Sequence, residues 1–237
     1  MIANKARCRG RSSSVAYHRC GPVGAVMRHM RTLMVALCIM ATAPSPARAC
    51  SVAKGYRVPS TLELADRSDT IVLARVVGER VHSLGEYRKV QLVPFELLKG
   101  AALPPKFDLE DAAISGGDLR TVPSDPRELV NAHPDVFSGS CNRTVFNEGM
   151  TLVVFLRRVE GKLVVYAPPF SRTLEDVPSS NALWVKAVRL YIEIAASPVD
   201  QRFAGMQRRR DLFKGDIGDA DASFLALELD RALLQTH

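Results

Sequence analysis

The sequence is poor in the side chains that carry most enzyme chemistry. Histidine occurs five times and tryptophan once in 237 residues. His82, His133 and His237 lie far apart, with none of the spacings of a zinc or catalytic histidine motif. No cofactor motif, internal repeat or low-complexity tract is present. Beyond residue 49 no apolar run approaches the length that spans a membrane. Ser138-Gly139-Ser140-Cys141 lacks the closing glycine of a nucleophile elbow. These absences weigh against hydrolase, nucleotide-dependent and transmembrane classes.

What is present begins with an export pattern. Arg28 and Arg31 precede an apolar run from Leu33 to Ala43, and Ala47-Arg48-Ala49 stands before Cys50. Basic end, short apolar core and small residues at the cut are the parts of a cleavable signal peptide. Cleavage after Ala49 is expected, with a periplasmic or secreted product. Residues 1–26 are basic and without periodicity, so translation from Met27 or Met30 is favoured over a long basic leader. A cysteine after the cut also suggests acylation, but Ala47 and Arg48 depart from a lipobox, so a lipid anchor at Cys50 is the minority reading.

Removing residues 1–49 changes the charge and the cysteine count. That segment holds eight basic residues and no acidic ones, so the net +7 of the whole chain becomes 24 basic against 25 acidic residues. The basic surface expected of a nucleic-acid binder disappears with it. Cys8, Cys20 and Cys38 go too, leaving Cys50 and Cys141. Two cysteines in an oxidising compartment suggest one disulfide. Closing a loop of about ninety residues is worth roughly 4 to 5 kcal/mol at most by chain entropy.

Periodicity orders the rest. Ser60-Thr61-Leu62-Glu63 fits a capping box opening a short helix to Arg67. Strands are expected from Thr70 to Gly78, Tyr87 to Lys99 after a turn at Gly85, Lys106 to Glu110, Met150 to Arg158, and Lys162 to Ala167 across a Glu160-Gly161 hairpin. Pro94 inside the second strand calls for an edge, a bulge or a bend. Ala112 to Arg143, with Gly116-Gly117 and three prolines, reads as a long loop with a helical turn near Arg127 to Val130. Trp184, Ala187, Val188, Tyr191, Ile192 and Ala195 recur at helical spacing, capped by Ser179 or Ser180. Further helices are expected from Asp200 to Phe213 and from Ala220 to Leu234. The fold class is mainly β with α, a five-stranded OB-like barrel over residues 50–170 and a helical segment over 171–237.

Cys50, the short helix, Asp69 to Gly78, Phe95-Glu96-Leu97-Leu98-Lys99-Gly100, Ser140-Cys141 and Glu148-Gly149-Met150-Thr151-Leu152-Val153-Val154-Phe155-Leu156 follow one another in an order that resembles the netrin-like domains related to tissue inhibitors of metalloproteinases. The resemblance covers residues 50–170. It implies a five-stranded OB-fold barrel with its N-terminal segment tied on by a disulfide. It also implies that the free amine and carbonyl of Cys50 chelate the zinc of a partner metalloprotease. Val52 stands where those inhibitors carry a second cysteine.

The remaining candidates have plain alternatives. Asp108, Glu110 and Asp111 read first as a solvated strand end, second as a cation site or, for Asp108 and Asp111, a carboxylate pair of an envelope hydrolase. Arg208-Arg209-Arg210 reads as a solvated helix face. Trp184 and Tyr191 read as packing against the barrel, and Phe137 and Phe170 as residues flanking the loop that could line a groove. The combined expectation is an exported, non-enzymatic module without cofactor, binding an unknown protein, with a structural envelope component as a further class.

Overall fold

A capping box starts the first helix. In the computed structural model, which describes residues 50–81 and 88–235, helix α1 (Thr61–Arg67) opens with Ser60 accepting the Glu63 N–H at 3.3 Å, while Glu63 accepts the Ser60 N–H at 2.9 Å. Hydrogen bonds from Arg57 hold the Glu63 carboxyl down to about 2. The expected export segment at 1–49, the turn at Gly85, and His82 and His237 lie outside the described residues.

Strand β1 (Thr70–Val81) pairs antiparallel with β2 (Arg88–Lys99) and β6 (Thr151–Val159). Ile71, Val72, Leu73 and Ala74 are all fully buried, because both faces of the sheet are covered here. That explains the unbroken β-branched run, where a half-exposed strand would alternate. Strand β3 (Phe107–Glu110) pairs with Lys89–Leu92 of β2, and β7 (Lys162–Val165) pairs with β6. The sheet order is β3-β2-β1-β6-β7, every pair antiparallel.

The register of β1 on β2 shifts at three places, one of them skipping Phe95 between Glu96 and Pro94. Such extra residues bend the strands. Pro94 sits beside this bulge and beyond the stretch that β3 covers, so its missing N–H costs no ladder bond.

The sheet does not close into the expected barrel. Among the described residues, strands β3 and β7 remain its two edges, each bonded on one side only. Ser140, Asn142, Arg143, Thr144 and Leu174 line the cleft between them. The segment expected to be irregular holds β4 (Ala113–Ile114), parallel to β5 (Val145–Phe146), and a 3₁₀ turn (Pro134–Phe137). No helical turn forms near Arg127 to Val130; Glu128 instead accepts the Val130 and Asn131 N–H groups.

Helices α2 (Leu183–Ala195), α3 (Val199–Gly215) and α4 (Ala222–Gln235) follow. The N-cap of α2 is Ala182 without a side-chain cap, not Ser179 or Ser180; Ser179 accepts the Ala182 N–H with its carbonyl. Two apolar cores result. On one face of the sheet Ile71, Leu73, Val153 and Phe155 meet Leu64 of α1, Trp184, Val188 and Tyr191 of α2, and Leu229 of α4. On the other, Val72, Ala74, Leu92, Leu152 and Val154 enclose Leu109, Phe146 and Leu174. No helix among the described residues is long and apolar enough to cross a membrane.

Glu228 of α4 is buried in the first core and accepts the Tyr191 hydroxyl at 3.3 Å. Burial raises its carboxyl pKa, with the Tyr191 hydrogen bond and Arg231 acting against the rise. A carboxyl whose folded value is raised stabilises most below the unfolded value and loses that contribution as pH climbs through the folded one. Glu228→Gln keeps the acceptor without the charge. It is expected to leave stability unchanged or higher at pH 7, and to lose that advantage over the parent as pH falls toward 4.5, as read by urea unfolding at both pH values.

Candidate functional site

Three separate segments meet at Cys50. The disulfide joins it to Cys141, ninety-one residues on, with their Cα atoms 5.6 Å apart. The Cys50 N–H donates to the Gly139 carbonyl at 2.9 Å, and the Phe170 N–H donates to the Cys141 carbonyl at 2.7 Å. The Tyr56 hydroxyl donates to the Pro169 carbonyl at 2.8 Å. Residues 50–56, 139–141 and 169–170 are thus stitched into one ridge.

The ridge stores backbone strain. Cys141 and Phe170 both have φ of 60°, a left-handed conformation that a bulky L-residue adopts at a cost of order 1–3 kcal/mol. Phe170 stacks on Phe137 with ring centres 5.5 Å apart and planes 12° apart. Phe137 is 64% exposed and Ser51, Val52 and Ala53 are exposed beside the disulfide. A cavity of about 170 Å³ opens behind Phe170, bordered by Leu129, Arg172, Tyr191, Glu228 and Arg231. The arrangement exposes an aromatic and residues 51–53 side by side.

That base is a buried polar network. Arg143 is 2% exposed; its Nη1 donates to Asp176, its Nη2 to the Val122 carbonyl at 3.2 Å, and its guanidinium lies 5.2 Å from the Phe146 ring centre. Asp176 also accepts the Ser124 N–H at 2.8 Å. Glu175 accepts the Ser124 hydroxyl at 2.6 Å and the His133 N–H at 2.8 Å. His133 Nε2 faces the Val122 carbonyl at 2.8 Å and so carries the proton, which leaves Nδ1 to accept the Asp135 N–H. Arg172 donates to the Glu128 carbonyl and lies 4.2 Å over the Trp184 ring. Burial alone would raise the Asp176 carboxyl; the Arg143 hydrogen bond and charge, with Ser124, bring it below its ordinary value.

Residues 175–177 are in turn bonded to β6, through Val153 N–H to the Glu175 carbonyl and Val177 N–H to the Thr151 carbonyl. The chain of support runs from sheet to strap to loop to ridge. Its polar members escaped the sequence reading, since Ser124, Arg143, Arg172, Glu175 and Asp176 form no spaced motif. The Arg172-Thr173-Leu174-Glu175-Asp176 run, with three charges in five residues between apolar stretches, was the available signal.

The other expected residues are engaged elsewhere or stand in solvent. Asp108 stands 3.8 Å from Arg80 and accepts a Gln91 N–H at 3.3 Å, Glu110 pairs with Lys89 at 2.8 Å, and Asp111 lies exposed on a turn. Arg209 pairs with Glu193 and Arg210 with Asp211 and Asp230, while Arg208 is exposed. Trp184 and Tyr191 are buried in the core against the sheet. His133 serves the loop. Among the described residues no cluster of three or more His, Cys, Asp or Glu side chains is placed to hold a metal ion. The chain matches no family model, no curated protein and no solved structure.

Removing one partner of a buried pair strands the other charge. Asp176→Ala is expected to cost about 3–5 kcal/mol in urea unfolding. In the parent, the Asp176 contribution is present above pH 3.8 and is lost as pH falls through its lowered folded value. Reducing the Cys50–Cys141 bond is expected to cost no more than about 4–5 kcal/mol, and to speed amide exchange at residues 137–141 before exchange in β1 changes.

Proposed function

We propose that this chain is an exported, non-enzymatic binding module of the cell envelope or extracellular space, which presents its disulfide-tied ridge to a protein partner. One observation carries the reading: the segment from Cys50 is fixed beside an exposed aromatic, Phe137, that stacks on Phe170, and it is Phe170 and Cys141 whose backbone is strained. Strained residues persist where surrounding structure over-determines them, and they cluster at binding and catalytic sites. Exposed rigid aromatics are the usual anchors of protein interfaces.

The netrin-like reading belongs to the same proposal. It is supported by the sheet order β3-β2-β1-β6-β7, that of an OB-type barrel opened between β3 and β7, and by the tie at Cys50. The disulfide supports export, because such bonds persist in oxidising compartments. In the narrowest form the partner is a metalloprotease. Cleavage after Ala49 would turn the Cys50 N–H into an amine that still has a hydrogen for Gly139 and a lone pair for zinc. Among the described residues no hydrogen bond ends on the Cys50 carbonyl oxygen, the second chelating atom.

Mass spectrometry of the exported protein is expected to report Cys50 as the first residue, disulfide-bonded and without lipid. That form should inhibit a member of a zinc-protease panel, and a form retaining Arg48 and Ala49 should inhibit at least about ten-fold less, the equivalent of 1.4 kcal/mol. Equal activity of the two forms would remove chelation. Phe137→Ala should weaken partner binding by more than about 1 kcal/mol while changing stability by no more than about 0.5 kcal/mol, as for an exposed position.

A further inference from the structure

The two sheet edges, unpaired among the described residues, face a common cleft of about 860 Å³, lined by Phe107 to Asp111 of the β3 edge and by Leu163, Val164 and Val165 of β7. Because every neighbouring pair in the order β3-β2-β1-β6-β7 is antiparallel, β3 and β7 run in the same direction. One additional strand, antiparallel to both, would therefore continue the pattern and join the two ends of the sheet. We propose that this cleft is a second binding site, which accepts an extended, basic peptide segment of a partner protein as that strand.

The backbone of β7 is set for it. The Tyr166 N–H donates to the Phe155 carbonyl at 2.8 Å, which makes these two a hydrogen-bonded pair of the antiparallel ladder. By alternation Val164 also bonds toward β6, and Leu163 and Val165 turn their N–H and C=O groups toward the cleft. Strands β3 and β7 each have four residues, so a segment of about four residues, some 13 Å long, matches both edges.

The side chains specify the segment further. Phe107, Leu163 and Val165 are partly buried against the inner core that holds Leu109 and Leu174, so the cleft has an apolar floor. Alternate residues of an inserted strand would meet that floor and the others would face outward. At the rim stand Asp108, Glu110 and Asp111, and among the described residues the one cation of the lining, Arg143, is committed to Asp176. Asp111 has no cation within ion-pair distance among the described residues. A strand of alternating aliphatic and basic residues answers floor and rim together, and sheet-edge addition draws its affinity from the main chain.

The test is fluorescence anisotropy of a fluorescein-labelled Lys-Val-Lys-Val-Lys-Val-Lys peptide titrated with the exported protein. One-to-one saturable binding is expected. A peptide N-methylated at alternate amides should bind at least about ten-fold more weakly, having lost two or more hydrogen bonds of about 1 kcal/mol each. The counterpart with glutamate for lysine should also bind more weakly, and amide exchange should slow at residues 107–110 and 162–165. Val165→Pro, which removes an N–H turned to the cleft, should weaken binding; the N-methylated peptide makes the same test on unaltered protein. The proposal is overturned by absent binding, by equal binding of the N-methylated peptide, or by protection elsewhere. Self-association of the protein with these same amides protected would also overturn it, by making a second copy the occupant. The form retaining Arg48 and Ala49 should bind the peptide as well as the form starting at Cys50, which separates this site from the ridge.

Discussion

The buried pair of Arg143 and Asp176 is the contact on which the candidate site depends. Nothing in the local sequence of residues 115–144 makes that loop hold one shape, with its glycines, prolines and single short 3₁₀ turn. Its form comes from charges taken out of water, where the two terminal guanidinium nitrogens donate to Asp176 and a loop carbonyl and the group lies against Phe146. Out of water an ion pair tolerates no loose geometry, because each unpaired lone pair or N–H there costs what solvent would have supplied. Ser124, Glu175 and His133 complete that satisfaction, and the strap at 175–177 passes the constraint to β6.

The disulfide acts on top of this order. Cys141 lies two residues before Arg143, so the network determines where the sulfur stands, and the bond then brings residues 50–56 to it. The left-handed backbone at Cys141 and Phe170 is carried by the same contacts. The three segments are held together without belonging to a helix or strand.

The sheet was legible wherever burial left a pattern. The run from Thr70 to Gly78 reads as a strand covered on both sides, and it lies in the middle of the sheet. Pro94 announced an edge, a bulge or a bend because proline cannot donate, and it lies next to a bulge and beyond the stretch that β3 covers. The capping box at Ser60 and Glu63 and the period of α2 were equally local in origin. The short β4 and β5 were not legible: two residues have no periodicity, and what makes them strands is a parallel pairing across more than thirty residues. The cap of α2 was misread because serines favour caps only where the chain turns inward at their own position, and here it turns at Ala182. The helical turn expected near Arg127 gave way to a turn held by the Glu128 carboxylate.

The sequence by itself determined the five main strands, the helices and the availability of Cys50 and Cys141 for each other. These follow from interactions within a few residues or from scarcity of alternatives. Tertiary structure alone decided that β3 and β7 stay apart, that Phe137 stacks on Phe170, and that Asp108 and Glu110 sit in cross-strand ion pairs with Arg80 and Lys89. It also decided that Arg143, Glu175, Asp176 and His133, scattered over some forty residues, form one network. The physical reason is the same in each case. Hydrogen bonds and charges act over a few ångströms in space, and only the folded chain sets which distant residues come within that range.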